Sequence, residues 1–138
     1  MNERILVVDD EEFMRDAIRL VLEREGYAVA VAVDGQEALE VVRERKPDLV
    51  ITDITMPRMG GYELLTALRK DPKTQNLPVI LATQKDSTSD VLTGWGSGAD
   101  YYITKPFASE ILKLSVELVL KEAGGRAELA KAKAAQAS

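Results

Sequence analysis

A chain of 138 residues is about one domain's worth, and its apolar share is that of an ordinary globular protein. Its net charge of −5 argues against a nucleic-acid-binding face, which must be basic, and against docking on an anionic membrane. Cysteine and histidine are both absent, which excludes disulfides, thiol catalysis, zinc–thiolate sites and any phosphohistidine on this chain.

Short β-branched runs alternate with longer amphipathic stretches from the start. Met1-Asn2-Glu3-Arg4 leads into an apolar run too short for a signal peptide or membrane span, so a cytoplasmic setting is expected. Arg4 to Val8 reads as a buried strand ending in Asp9-Asp10. Glu12 to Glu25 reads as a helix with Phe13, Ala17, Leu20 and Val21 facing in, closed by Gly26. A strand over Ala28 to Ala32 precedes a helix over Gly35 to Lys46, which turns Ala38, Val41 and Val42 inward and ends before Pro47. Leu49 to Asp53 is the third strand, and a loop through Met56-Pro57-Arg58-Met59-Gly60-Gly61 leads to a helix over Tyr62 to Lys70. That helix points Leu64, Leu65 and Leu68 at the core.

Val79 to Ala82 is the fourth strand, and Ser87-Thr88-Ser89-Asp90 resembles a capping box that opens a fourth helix, with Trp95 as a packing residue on it. Tyr101 to Ile103 is the fifth strand and Ala108 to Glu122 the last helix. Residues 1–122 are therefore expected to form one domain, with the Ala/Lys-rich 123–138 as a helical extension or linker after Gly124-Gly125. Five strand–helix pairs with nearly continuous apolar strands predict an α/β fold: a parallel sheet covered on both faces.

In such a sheet, ligands bind beyond the carboxyl ends of the strands. Asp9, Asp10, Asp53, Thr83 and Lys105 all fall at or just after strand ends, so three carboxylates, a hydroxyl and an ammonium converge from separate elements. Crowded carboxylates repel, and without a cation at least one pKa should rise. A divalent, oxygen-seeking ion such as Mg2+ would relieve the repulsion and prepare the pocket for a phosphoryl group. Asp53 would then be the nucleophile, Lys105 would neutralise phosphoryl oxygens, and Thr83 could donate its hydroxyl to one of them.

The pattern Val7-Val8-Asp9-Asp10-Glu11, then Asp53 through Gly61, then Thr83, then Thr104-Lys105-Pro106-Phe107, resembles the receiver family of two-component signalling response regulators. The resemblance spans roughly residues 4 to 120. It implies a flavodoxin-like (βα)5 doubly wound fold with strand order 2-1-3-4-5. It also implies that Asp53 is a phosphoacceptor served by a sensor histidine kinase or phosphotransfer protein. Asp10, Asp53 and the backbone carbonyl of Thr55 would bind Mg2+ directly, and Asp9 mainly through a water. Thr83 and Tyr102 would form the conformational switch, Tyr101 being the weaker candidate. A cis Lys105–Pro106 bond and a Gly61 that lets the third helix start tightly are further implications. The product of phosphorylation would be a repopulated surface of fourth helix, fifth strand and last helix. Such a domain catalyses only its own phosphorylation and hydrolysis, and is not an enzyme in the usual sense.

Departures from the family pattern sit around the pocket. Gln84 stands where receivers usually carry a small residue, while Thr55 and Lys85 occupy positions that tune hydrolysis in the family. Lys85 is expected to shield or pair with the phosphoryl group. Gly60 replaces a frequent Asp or Asn, which weakens a cap. The last helix carries two apolar stripes, Ile111/Ser115/Leu118 and Leu112/Val116/Val119, widened by Leu114 and Leu120. Two stripes suggest that one meets a partner, either a dimer mate or an output domain. Three rival functions would each leave a different trace in the sequence. A phosphate-independent pseudo-receiver would have lost a pocket residue. A haloacid-dehalogenase-like phosphohydrolase would carry Asp where Thr55 stands. A flavodoxin-type carrier would not place Asp9-Asp10-Glu11-Glu12 against a flavin phosphate.

Overall fold

The computed structural model describes residues 3–84 and 98–137, with side chains described for 3–82 and 98–123. The chain order is β1 (Arg4–Val8), α1 (Glu12–Arg24), β2 (Ala28–Ala32), α2 (Gly35–Arg45), β3 (Leu49–Asp53), α3 (Gly61–Lys70), β4 (Val79–Gln84), β5 (Tyr101–Lys105) and α4 (Ser109–Ala137). The last of these is the last helix of the sequence reading. The capping box at 87–90, Lys85, Trp95 and the predicted fourth helix lie outside the described residues.

The strands form one sheet in the order β2-β1-β3-β4-β5, every pairing parallel. This is the flavodoxin-like order that the resemblance implied. Because side chains alternate across a strand, the nearly all-apolar β1 serves two cores at once. Leu6 and Val8 join Val50, Val79, Leu81 and the α2/α3 residues Ala38, Val42, Leu64, Leu65 and Leu68 on one face. On the other, Ile5 and Val7 join Ile51, Ile80 and Ile103 with Ile18, Leu22, Leu112, Val116 and Val119 from α1 and α4.

Two expectations need correction, on α1 and on the ends of β4 and β5, and α4 shows which of its stripes the core takes. Of the expected inward residues of α1, Val21 packs on the core beside the buried Ile18 and Leu22, whereas Phe13 is 83% exposed and Ala17 and Leu20 are exposed too. Two apolar stripes run along α1, one turned about a third of a turn from the other. Periodicity could not say which one the sheet would take. On α4 the stripe Leu112/Val116/Val119 is the core, while Ile111, Leu114 and Leu118 face outward. Ser115 is buried, its hydroxyl satisfied by donating to the Ile111 carbonyl at 2.7 Å. β4 and β5 each run two residues further than their apolar residues suggested, because their ends pair with each other through Thr83–Thr104 and Gln84–Lys105. The backbone of α4 continues helical past Glu122, through Gly124-Gly125 to Ala137.

Local chemistry explains the turns that matter for the site. Asp34 caps α2, its Oδ1 accepting from the Glu37 amide at 2.9 Å. The start of α3 is tight as expected: the Gly61 amide donates to the Ile54 carbonyl at 2.8 Å, and a Cβ on Gly61 would lie 2.3 Å from the Asp53 carbonyl oxygen. Gly60 is the N-cap and has no side chain with which to cap.

Candidate functional site

Asp9 and Asp10 follow β1, Asp53 closes β3, and Lys105 closes β5, so the sheet itself carries them to one edge. Each of Asp9, Asp10 and Asp53 offers a carboxylate oxygen, and these oxygens lie within 4.8 Å of one another. Lys105 Nζ donates to Asp9 Oδ2 at 2.8 Å and stands 3.4 Å from Asp53 Oδ2. The cluster is graded in exposure, with Asp9 buried, Asp53 partly buried and Asp10 open to solvent. Of the three carboxylates, Asp9 and Asp53 share the Lys105 ammonium.

Backbone donors hold the carboxylates in place. Asp9 Oδ1 accepts from the Glu11 amide at 2.9 Å, and Asp53 Oδ1 from the Ile54 amide at 2.8 Å. Arg15 from α1 donates to the Asp9 carbonyl oxygen at 2.8 Å, and the Asp9 amide donates to Ala32 at the end of β2 at 3.1 Å. Burial pushes the Asp53 carboxyl above its usual range, with the Asp9 charge adding to the rise and Lys105 opposing it. For Lys105, burial alone would lower the ammonium pKa. The hydrogen bond it donates to Asp9 and the charges of both carboxylates outweigh it, and the net direction is up.

The donor set suits a small hard cation. All its ligands are oxygens, and their mutual repulsion is relieved by a divalent charge. Thr55 lies two residues past Asp53 in the loop toward α3. Thr83 is one residue past Ala82, the register partner of Asp53, and Gln84 pairs in register with Lys105. The side chains of Thr83 and Gln84 lie outside the described residues. The Lys105–Pro106 peptide is cis.

Tyr102 packs on the α2/α3 side of the sheet and Tyr101 on the α1/α4 side, as alternation predicted. The Tyr102 hydroxyl lies 3.1 Å from the hydroxyl of Tyr62, in the first turn of α3. Tyr62 was not singled out from sequence, and neither were Arg15, Asp34 or Arg58. For Asp34 a signal existed: Asp34-Gly35-Gln36-Glu37 has the spacing of a capping box. For the others no local pattern marks the contact.

Over residues 5–117 the chain matches the family described as response regulator receiver domain. It is 40% identical over 121 residues to the response regulator MprA of Mycolicibacterium vanbaalenii, covering 88% of this chain and 52% of that protein. The DNA-binding response regulator MtrA of Mycobacterium leprae is 42% identical over the same length and shares. The chain thus spans about half the length of these relatives. Among solved structures, it is similar to a CheY-like response regulator receiver domain protein from Methanospirillum hungatei, with TM-score 0.84 and 31% identity, covering 91% of this chain and 99% of that one. NtrX from Brucella abortus gives TM-score 0.89 at 32% identity, covering 95% of this chain and 29% of that one.

Proposed function

This chain belongs to the response regulator receiver domain family, and we propose that Asp53 is its phosphoacceptor, with Asp9, Asp10 and the Thr55 carbonyl completing a magnesium site. The observation that carries the reading is the meeting of three carboxylates with Lys105 at one edge of the sheet. Asp9, Asp10, Asp53 and the Thr55 carbonyl would hold Mg2+, which when bound supplies positive charge to the oxygens of an incoming phosphoryl group.

The residues divide the work. An electron pair from an Asp53 carboxylate oxygen forms the new O–P bond. The P–N bond of a donor phosphohistidine breaks, and its electron pair leaves with the imidazole nitrogen, which takes up a proton. Ile54 N–H holds one Asp53 oxygen and fixes the carboxylate plane. Lys105, released from one of its carboxylate partners, turns its ammonium to a phosphoryl oxygen. Thr83 would donate its hydroxyl to another, and Tyr102 would follow that movement. Thr55, Gln84 and Lys85 would set how readily donor and water reach phosphorus. The chemistry is confined to the domain's own phosphorylation and hydrolysis.

The output is then a change of surface around β5 and α4. Ile111, Leu114 and Leu118 face outward there and suit a dimer mate or an attached output module. We take residues 1–122 as the receiver body and 123–138 as an extension of α4 leading away from it. The exclusion of nucleic acid drawn from net charge is narrowed here: it concerns this segment only, because DNA binding is named for relatives about twice as long as the stretch matched. No helix among the described residues is long and apolar enough to cross a membrane.

Intact-mass spectrometry after incubation with magnesium and acetyl phosphate tests the assignment. One phosphoryl adduct, labile to hydroxylamine and missing from Asp53→Asn, is expected. An adduct that survives in Asp53→Asn, or none from either acetyl phosphate or a phosphorylated histidine donor, would overturn it.

A further inference from the structure

The loop between β3 and α3 carries Thr55, yet its tip is fastened to a different element. Asp34, 1% exposed, spends Oδ1 on the cap of α2 and Oδ2 on the guanidinium of Arg58, which sits at the loop's tip. Beside that ion pair, the Gly35 amide donates to the Met59 carbonyl at 2.9 Å. The approach is so close that a Cβ on Gly35 would lie 2.6 Å from Met59 Cγ. Arg58 holds φ at +66°, a left-handed conformation that a non-glycine residue adopts only when its surroundings impose it. At its base the loop closes on itself through Gly61 and Ile54. The same β2–α2 segment also reaches the acidic pocket from the other side, since Ala32, two residues before Asp34, accepts from the Asp9 amide. Asp9 and the loop after Asp53 are therefore tied to one short stretch of backbone.

We propose that Asp34 and Arg58 are positioning residues for the cation site, their ion pair holding the β3–α3 loop so that the Thr55 carbonyl stays beside Asp10 and Asp53. The inference rests on the magnesium-dependent reading given above. Neither residue touches the reacting atoms. Asp34 acts through Arg58 and the loop, and Arg58, 61% exposed at its side chain, acts as a strap that water can compete for. A modest effect follows, smaller than that of a buried partner directly behind a metal ligand.

The variants separate the strap from the helix cap. Asp34→Asn keeps a side-chain oxygen able to cap α2 but removes the charge that attracts Arg58. Arg58→Gln removes the strap from the other side. Arg58→Gly removes it while easing the left-handed backbone. Magnesium affinity of the unphosphorylated protein is read from the amide resonances of Ile54 and Thr55 during titration. Asp34→Asn, Arg58→Gln and Arg58→Gly should each bind roughly 3- to 10-fold more weakly, below the usual effect of buried outer-shell partners because the strap is solvent-exposed. The double variant Asp34→Asn/Arg58→Gln should be no weaker than either single one, because both remove the same interaction. Arg58→Lys should restore part of the loss.

Single variants with wild-type magnesium affinity would overturn the proposal while leaving the phosphoacceptor reading intact. A loss of affinity that merely tracks a collapse in melting temperature would overturn it as well, since it would mark a folding role. A wild-type protein that binds no magnesium would sink both readings together.

Discussion

At the amino-terminal ends of β4 and β5, the Arg69 guanidinium pairs with the Asp100 carboxylate. At the carboxyl ends of β1, β3 and β5, three carboxylates gather, and among the described residues the Lys105 ammonium bridges two of them, Asp9 and Asp53. The first cluster is saturated. Arg69 donates to the Leu77 carbonyl at 2.6 Å, to the Gly98 carbonyl at 3.0 Å and to Asp100 Oδ2 at 3.0 Å, and Asp100 also accepts from the Val79 amide at 2.8 Å. The second cluster carries surplus negative charge, and burial raises its central carboxyl. Similar side chains thus serve opposite ends. A balanced, fully bonded pair pins two strands, whereas an unbalanced set leaves attraction over for a cation and a phosphoryl group.

The contrast can be broken most forcefully at the saturated end. Arg69→Ala leaves Asp100 partly buried without its guanidinium and strips three carbonyl bonds, two to Gly98 and one to Leu77, so a loss of about 2–4 kcal/mol is expected by urea denaturation. A loss below about 0.5 kcal/mol would mean the network is ornamental and the contrast misplaced. At the unbalanced end the sign should reverse. Asp53→Asn removes a carboxylate that its surroundings hold partly against ionisation, and the variant should melt roughly 2–5 °C above wild type at neutral pH without magnesium. Because the folded pKa is raised, wild type gains stability as pH falls through that raised value, so the gap closes on acidification. Millimolar magnesium should close it too, by stabilising only the wild type. An Asp53→Asn variant that melts lower than wild type would show that the Lys105 bridge outweighs the crowding.

Asp34 offers the smallest effect, and it sharpens the comparison from within the carboxyl-end edge of the sheet, where its carboxylate meets the Arg58 guanidinium. Its carboxyl is held below the usual range first by the Glu37 amide and then by Arg58. Its contribution is present above the unfolded value of about 3.9 and lost as pH falls through the lower folded value. Asp34→Asn should therefore differ from wild type by roughly 1–2 °C in melting temperature at neutral pH. That difference should vanish on the acid limb. A gap that persists in strong acid would place the effect outside Asp34's charge.

Much of the site was legible in advance because its residues sit at strand ends, and strand ends are marked by where apolar runs stop. Asp9, Asp10, Asp53 and Lys105 are brought together as their positions implied. Asp34 and Arg58 stand 24 residues apart, on two loops, and nothing in either loop's composition advertises the other. The Tyr62–Tyr102 contact was hidden for the same reason: each tyrosine also reads as an ordinary core aromatic. The face of α1 was misread in all but Val21, because Phe13, Ala17 and Leu20 form as regular a stripe as Met14, Ile18 and Val21.

Sequence alone determined the alternation of strands and helices, the parallel sheet and the strand-end carboxylates. Local backbone sterics, side-chain period and turn chemistry act over a few residues and leave a direct trace in residue order. Only the tertiary structure decided which stripe of α1 and α4 meets the sheet, which is held by packing against the far side of the same core. It alone also joined the β3–α3 loop to the start of α2 and charged Lys105 with two carboxylates at once. Those outcomes depend on distances between segments remote in the chain, and distance across a fold is a property that no local window of residues contains.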